Sequence, residues 1–162
     1  MLNNTYSFIL IIVIFGLNYF INYIYLKHKS NNINQKVLKN NSMGTLLIFF
    51  GILKLINLEK FVDIYSKYDI ITTNFKLYGY LFPFIEILIG YMLLLNYKIN
   101  INHIIILILM IISIVSVIIS KINGQKFRCG CLGSFFHVPL SYVTIFENIY
   151  MIIMILLQYK FK

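Results

Sequence analysis

The chain has 162 residues, 60% of them hydrophobic and 12% charged, with a mean hydropathy of +0.83. A soluble domain carries about a quarter charged residues. The composition therefore excludes a soluble globular enzyme, a disordered tail and a disulfide-framework toxin. The net charge of +9 is spread between apolar runs instead of forming one basic face, which argues against nucleic acid as a partner and for loop charges beside a membrane. Thirteen of the fourteen basic residues are Lys, and Ala and Trp are absent, the usage of an AT-rich genome.

The first apolar run, Tyr6 to Leu26, contains no charge. It has no basic leader and no small-residue cleavage site, and is long enough to read as a retained transmembrane helix. Lys27 to Ser42 reads as a polar loop with four lysines and no acid. Met43 to Leu58 is a second, shorter run holding Lys54, and Glu59 to Phe75 is an amphipathic stretch expected in the interface or as an extension of helix two. The third run, Leu77 to Asn96, contains Pro83, Glu86 and Gly90. After a turn at Tyr97–Asn102, the fourth run spans His103 to Ser120 and is almost pure Ile, Leu, Met and Val. A polar loop, Lys121 to Pro139, holds both cysteines, and the fifth run is Leu140 to Gln158, with Glu147. The expected fold is all-α, a polytopic bundle of five transmembrane helices.

With Lys27–Ser42 inside, the cytoplasmic segments hold Lys27, Lys29, Lys36, Lys39, Lys98, Lys160 and Lys162 and no acids. The outer segments hold Lys60, Lys67, Lys76, Lys121, Lys126 and Arg128 together with Glu59, Asp63 and Asp69. The four lysines of the first loop set the orientation, with the N-terminus out, the C-terminus in, and the cysteine loop on the periplasmic or extracellular side.

Arg128-Cys129-Gly130-Cys131-Leu132-Gly133 carries the chemistry. Glycine between the cysteines permits the tight backbone of a small disulfide ring. Strain in such a ring makes it easier to reduce. Arg128 and Lys126 favour the thiolate, the attacking species. The motif suits a redox pair on the oxidising side of a membrane. Two other readings stand beside it. Cys129, Cys131 and His137 could gather a soft metal such as Cu(I) or Hg(II), or the cysteines could form a static bridge in a non-catalytic assembly factor.

Lys54, Glu86 and Glu147 lie inside apolar runs, where an isolated charge costs roughly 2.5–3.5 kcal/mol, so they should face partners or a polar cavity. At ~1.5 Å per residue all three fall between the midplane and the outer surface, on the side of the cysteines. They could relay protons during thiol chemistry or serve only as a packing ion pair. Pro83 should kink helix three, and Gly51 and Gly90 allow close helix approach. Tyr78, Tyr80, Tyr142 and Tyr150 read as belt or core residues; no cofactor is assigned, with quinone the one left open.

Gly51-Ile52-Leu53-Lys54, then Pro83-x-x-Glu86-x-x-x-Gly90, Cys129-Gly130-Cys131-Leu132-Gly133, Pro139-Leu140 and Glu147-Asn148, in that order, resemble the MauE family of methylamine-utilisation proteins within the DoxX-like group. The resemblance covers Met43 to Gln158. It implies a four-helix membrane core over 43–162, preceded over 1–42 by an added transmembrane helix and a basic cytoplasmic loop. It also implies a multi-pass protein of the bacterial inner membrane linked to periplasmic disulfide chemistry, a membrane thiol–disulfide oxidoreductase or a factor in disulfide-dependent maturation. In the named pathway, members help mature the disulfide-rich small subunit of methylamine dehydrogenase. By that analogy Cys129 and Cys131 are the redox pair, Arg128 supports the thiolate, and Lys54, Glu86 and Glu147 are core polar positions. The partner is a thioredoxin-like or exported disulfide-containing protein.

Overall fold

The computed structural model describes residues 4–29, 34–123 and 140–160. Among them are seven helices and no strand: α1 (Asn4–Lys29), α2 (Gln35–Ile56), α3 (Leu58–Tyr65), α4 (Ile70–Asn74), α5 (Lys76–Leu94), α6 (Ile99–Ile122) and α7 (Leu140–Lys160). The cysteine loop, with Arg128, Cys129, Cys131 and His137, lies outside the described residues.

Helix α2 starts well before the apolar run that announces it. Asn34 caps it, its side chain accepting a hydrogen bond from the Lys36 amide. Lys36 to Ser42, expected in a loop, are therefore helical, and Asn40, Asn41 and Ser42 are buried. The segment is polar because its partners are polar. Ser42 Oγ donates to Asn18 Oδ1 of α1 at 2.9 Å and meets the Tyr150 hydroxyl of α7 at 2.8 Å. Asn18 and Asn22 of α1 both donate to Thr45 Oγ1.

The stretch after α2 neither extends that helix nor turns its apolar side outward. Asn57 leaves helical geometry, and α3 buries Phe61, Val62 and Tyr65, spaced to share one face, against α5. Asp69 then caps α4, accepting from the Thr72 amide at 2.8 Å and the Thr72 hydroxyl at 2.7 Å.

The antiparallel α2–α5 seam organises the bundle. A Cβ added to Gly90 would meet the Gly44 carbonyl oxygen at 2.7 Å, and one added to Gly44 would meet the Gly90 oxygen at 2.7 Å. One added to Gly51 would stand 2.6 Å from Ile87 Cγ1 and 3.1 Å from the Pro83 oxygen. The two backbones therefore touch, the arrangement small residues give helices packed without a hydrophobic drive between them. Gly51 and Gly90 play the packing role expected of them, and Gly44 joins them. Pro83 lies inside α5 and cannot donate to the carbonyl four residues back, at Gly79.

Around an apolar core the bundle also buries polar and charged side chains, while many large apolar ones face outward. Leu81, Phe84, Leu88, Ile104, Ile108, Ile111 and Ile118 are exposed, whereas Lys54, Glu86, Asp69, His103 and Ser116 are buried. Helices α5, with 19 residues, and α6, with 24, are long and apolar enough to cross a membrane. At ~1.5 Å per residue they are about 28 and 36 Å long, close to the hydrocarbon thickness.

Candidate functional site

Lys54 stands one turn from the C-terminus of α2, and Glu86 lies in the middle of α5. The glycine contact at Gly51, three residues before Lys54, brings α2 against Pro83 and Ile87, the turns that flank Glu86. The backbones are then close enough for Lys54 Nζ to donate to both carboxylate oxygens of Glu86. Lys54 is 4% exposed and Glu86 2%, so the ion pair is held out of solvent.

Aromatic rings roof the pair. Lys54 Nζ stands 4.9 Å from the Phe82 ring centroid and 5.9 Å from that of Phe61, distances at which the ring faces attract a cation. Tyr65 stacks on Phe61 at 5.0 Å and packs against Phe82 at 5.2 Å, so α3 covers the site as a lid of rings. The amphipathic stretch, expected in the interface or as an extension of helix two, is a separate helix that supplies this lid.

Beside the ion pair is a cavity of about 20 Å³, lined by Lys54, Glu86, Ser113, Thr144, Glu147 and Asn148. That is room for about one water molecule. Glu147 is 5% exposed and Asn148 3%, and Asn148 Nδ2 has no hydrogen-bond partner among the described residues. Three ionisable side chains and one carboxamide from α2, α5 and α7 thus share a single enclosed space. Lys54, Glu86 and Glu147, picked out by sequence as charges inside apolar runs, come together here. Asn148, quoted with Glu147 among the motifs of the resemblance but not picked as a site residue, joins them.

Sequence reasoning missed two further polar groups. Asp69, counted among outer loop charges, is fully buried and within 3.3 Å of Ser116 Oγ, which also accepts from the Ile70 amide at 3.2 Å. At the other end of the bundle, Asn40 Oδ1 accepts from Gln158 Nε2 at 2.7 Å and from His103 Nε2 at 3.1 Å, while Asn40 Nδ2 donates to Asn96 Oδ1 at 3.2 Å. The signal in α6 was spacing: Asn102, His103, Ser113, Ser116 and Ser120 recur at helical intervals in an otherwise apolar helix, and all are buried. Of the tyrosines, Tyr78 packs on Phe82, Tyr150 bonds Ser42, and Tyr80 is exposed at 40%.

Cys129, Cys131, Arg128 and His137 lie outside the described residues, but the helices on either side of them do not. Ser113 and Ser116 near the end of α6, and Thr144 and Glu147 near the start of α7, all face the Lys54–Glu86 end of the bundle. The chain leaves α6 and enters α7 on that side.

The family model described as methylamine utilisation protein MauE matches residues 41–160. No curated protein and no solved structure matches the chain. The match spans most of the sequence and takes in all but the first residues of α2, and α3 to α7, with the polar centre, so the chain belongs to the MauE family and is a membrane protein of the MauE type.

Proposed function

From that membership we propose that the protein carries out thiol–disulfide exchange with an exported partner, through Cys129 and Cys131, with the Lys54–Glu86–Glu147 centre in support. The observation that carries the reading is positional. The cluster of Lys54, Glu86 and Glu147 lies at the end of the bundle where α6 ends and α7 begins, the helices that flank the Cys-Gly-Cys motif.

In this mechanism the thiolate of one cysteine attacks a disulfide sulfur of the partner. A new S–S bond forms, the partner's S–S bond breaks, and its second sulfur leaves as a thiolate that takes up a proton. The other cysteine of the pair, deprotonated, then attacks the mixed disulfide. Cys129 and Cys131 end joined, and the partner leaves with both thiols reduced. Two electrons have passed to the partner; the reverse sequence oxidises a client. Arg128 stabilises the attacking thiolate. Lys54, Glu86 and Glu147, one cation and two carboxyls around a single-water cavity, are groups that can take and return the protons each half-reaction moves. Turnover needs a redox partner of the pair, a thioredoxin-like protein or a quinone.

The architecture proposed with it is five membrane-crossing helices, α1, α2, α5, α6 and α7, in the bacterial inner membrane, with the cysteine motif on the periplasmic or outer face. The lysine distribution supports that orientation: Lys27, Lys29, Lys36, Lys39, Lys98 and Lys160 are at the other end, where α1, α5 and α7 end and α2 and α6 begin. In the family's namesake process, methylamine utilisation, the client is the small subunit of methylamine dehydrogenase, and a disulfide-rich exported protein of that kind is the class of client proposed.

Replacing the resolving thiol tests both parts at once. Cys131→Ser should accumulate a reductant-sensitive mixed disulfide with an exported protein, identifiable by mass spectrometry after crosslink-preserving purification. A cytosolic partner would overturn the orientation. If neither Cys131→Ser nor Cys129→Ser yields any adduct, the exchange mechanism fails.

A further inference from the structure

At the end opposite the Lys54–Glu86 centre, the start of α2, the α5–α6 turn and the end of α7 enclose a cavity of about 450 Å³, within the size range of small-molecule sites. Lys36, Lys98, Asn100, His103, Gln158 and Tyr159 contribute to its wall, and among the described residues neither Asp nor Glu does.

Three separate features of this cavity point to one kind of ligand. Lys36 and Lys98 both belong to its wall, and among the described residues no carboxylate side chain joins them there. The first turn of α6 also lines it, through Ile99, Asn100 and Ile101. That turn begins a 24-residue helix and has no side-chain cap, because Lys98 before it carries no acceptor; the Ile101 amide donates to the Lys98 carbonyl at 3.0 Å, so the amides open to a ligand are those of Ile99 and Asn100. Uncapped amides and the positive end of the helix dipole favour an anion.

The third feature is His103, 1% exposed. Its Nε2 donates to Asn40 Oδ1, which can only accept, so the proton of the neutral ring is on Nε2. Nδ1 is then a buried acceptor, and it has no partner among the described residues. An orphaned acceptor of this kind is costly unless something supplies a donor. The cavity thus has lysines and helix amides suited to an anion in its wall, together with His103, whose unpartnered Nδ1 suits a hydroxyl donor.

We propose that this cavity binds a phosphate group that carries or adjoins a hydroxyl, as in the headgroup of an anionic glycerol phospholipid. Lys36, Lys98 and the α6 amides take the phosphate oxygens, and His103 Nδ1 accepts from the hydroxyl. The rim suits a lipid: Ile101 and Tyr159 are about half exposed beside the cavity, and Ile104 and Ile108 continue an apolar track along the outside of α6. Tyr159 is amphipathic and donates its hydroxyl to Asn100 Oδ1 at 3.3 Å, at a headgroup level. The proposal is independent of thiol exchange.

The test is native mass spectrometry of the detergent-purified full chain, titrated with phosphatidylglycerol, phosphatidylcholine and inorganic phosphate. Phosphatidylglycerol should bind at least tenfold tighter than phosphatidylcholine. Lys36→Gln and Lys98→Gln should each weaken it about fivefold and together about 25-fold, the share expected of lysines near an anionic lipid. Both lysines are exposed, so the variants should fold, which circular dichroism checks. Lys67→Gln, at the far end and paired with Asp63, should change nothing. Inorganic phosphate binding with the same lysine dependence, in the absence of phosphatidylglycerol selectivity, would keep the phosphate site and assign it to a soluble ligand. Binding of neither anion, or binding indifferent to both lysines, would overturn the proposal.

Discussion

Lys54 and Glu86 place opposite full charges where neither could remain alone. Burial removes the hydration of both, and their mutual attraction with the Phe82 and Phe61 ring faces compensates. Removing one partner leaves the other charge uncompensated. Lys54→Met should therefore destabilise the protein by about 3–5 kcal/mol, while Lys54→Met with Glu86→Leu should recover most of that loss. Unfolding in detergent followed by circular dichroism distinguishes the cases; a single variant as stable as the parent would mean that the pair is not buried as described. The double variant also separates roles, since a bundle that folds but no longer forms mixed disulfides would place the pair in the chemistry. Lys54, Glu86 and Glu147 were legible in the sequence because an ionisable residue within an apolar run is conspicuous. Asp69, Asn40 and His103 were not, because each lies in or beside a segment polar enough to pass for a loop, and only the fold shows that their side chains turn inward.

At the scale of the helices, hydrophobic runs located the elements and misjudged their ends. Helix α2 begins at Gln35, not near Met43, because Asn40 and Ser42 are satisfied by α1, the α5–α6 turn, α6 and α7, so a helix can carry them into the interior. The charged and aromatic stretch that follows resolved into α3 and α4 for a related reason: its apolar residues had an inward face to cover, the ion pair and Phe82. The α2–α5 seam gives a measurable consequence. Gly90→Ala sets a methyl 2.7 Å from the Gly44 carbonyl oxygen, a backbone atom that cannot swing away, and should cost about 1–3 kcal/mol through separation of the helices. Gly16→Ala in α1 meets nothing within 4 Å and should be neutral or stabilise by up to about 1 kcal/mol through helix propensity. The same melts read both, and equal effects at the two positions would contradict the close seam.

For the whole molecule, composition alone indicated helices in a membrane, and the fold adds how the two ends differ. One end collects lysines around a cavity built for an anion. The other collects the Lys54–Glu86–Glu147 centre and the helix ends that flank the Cys-Gly-Cys motif. Charge counting in the sequence divided the basic residues almost evenly, with the acids Glu59, Asp63 and Asp69 all on one side. The three-dimensional sorting is sharper: the described lysines of the basic end have no acidic neighbour on their turns, whereas Lys67 is bonded to Asp63 on the opposite side. The asymmetry fits a protein that exchanges electrons at one face and anchors to acidic headgroups at the other. Its central claim is a working dithiol, tested most directly by redox titration of Cys129–Cys131 in the purified protein, read by a thiol-trapping gel shift. The account predicts a midpoint between roughly −120 and −270 mV, the range of exchange proteins, whereas a midpoint below about −300 mV, or thiols that never oxidise, would contradict it.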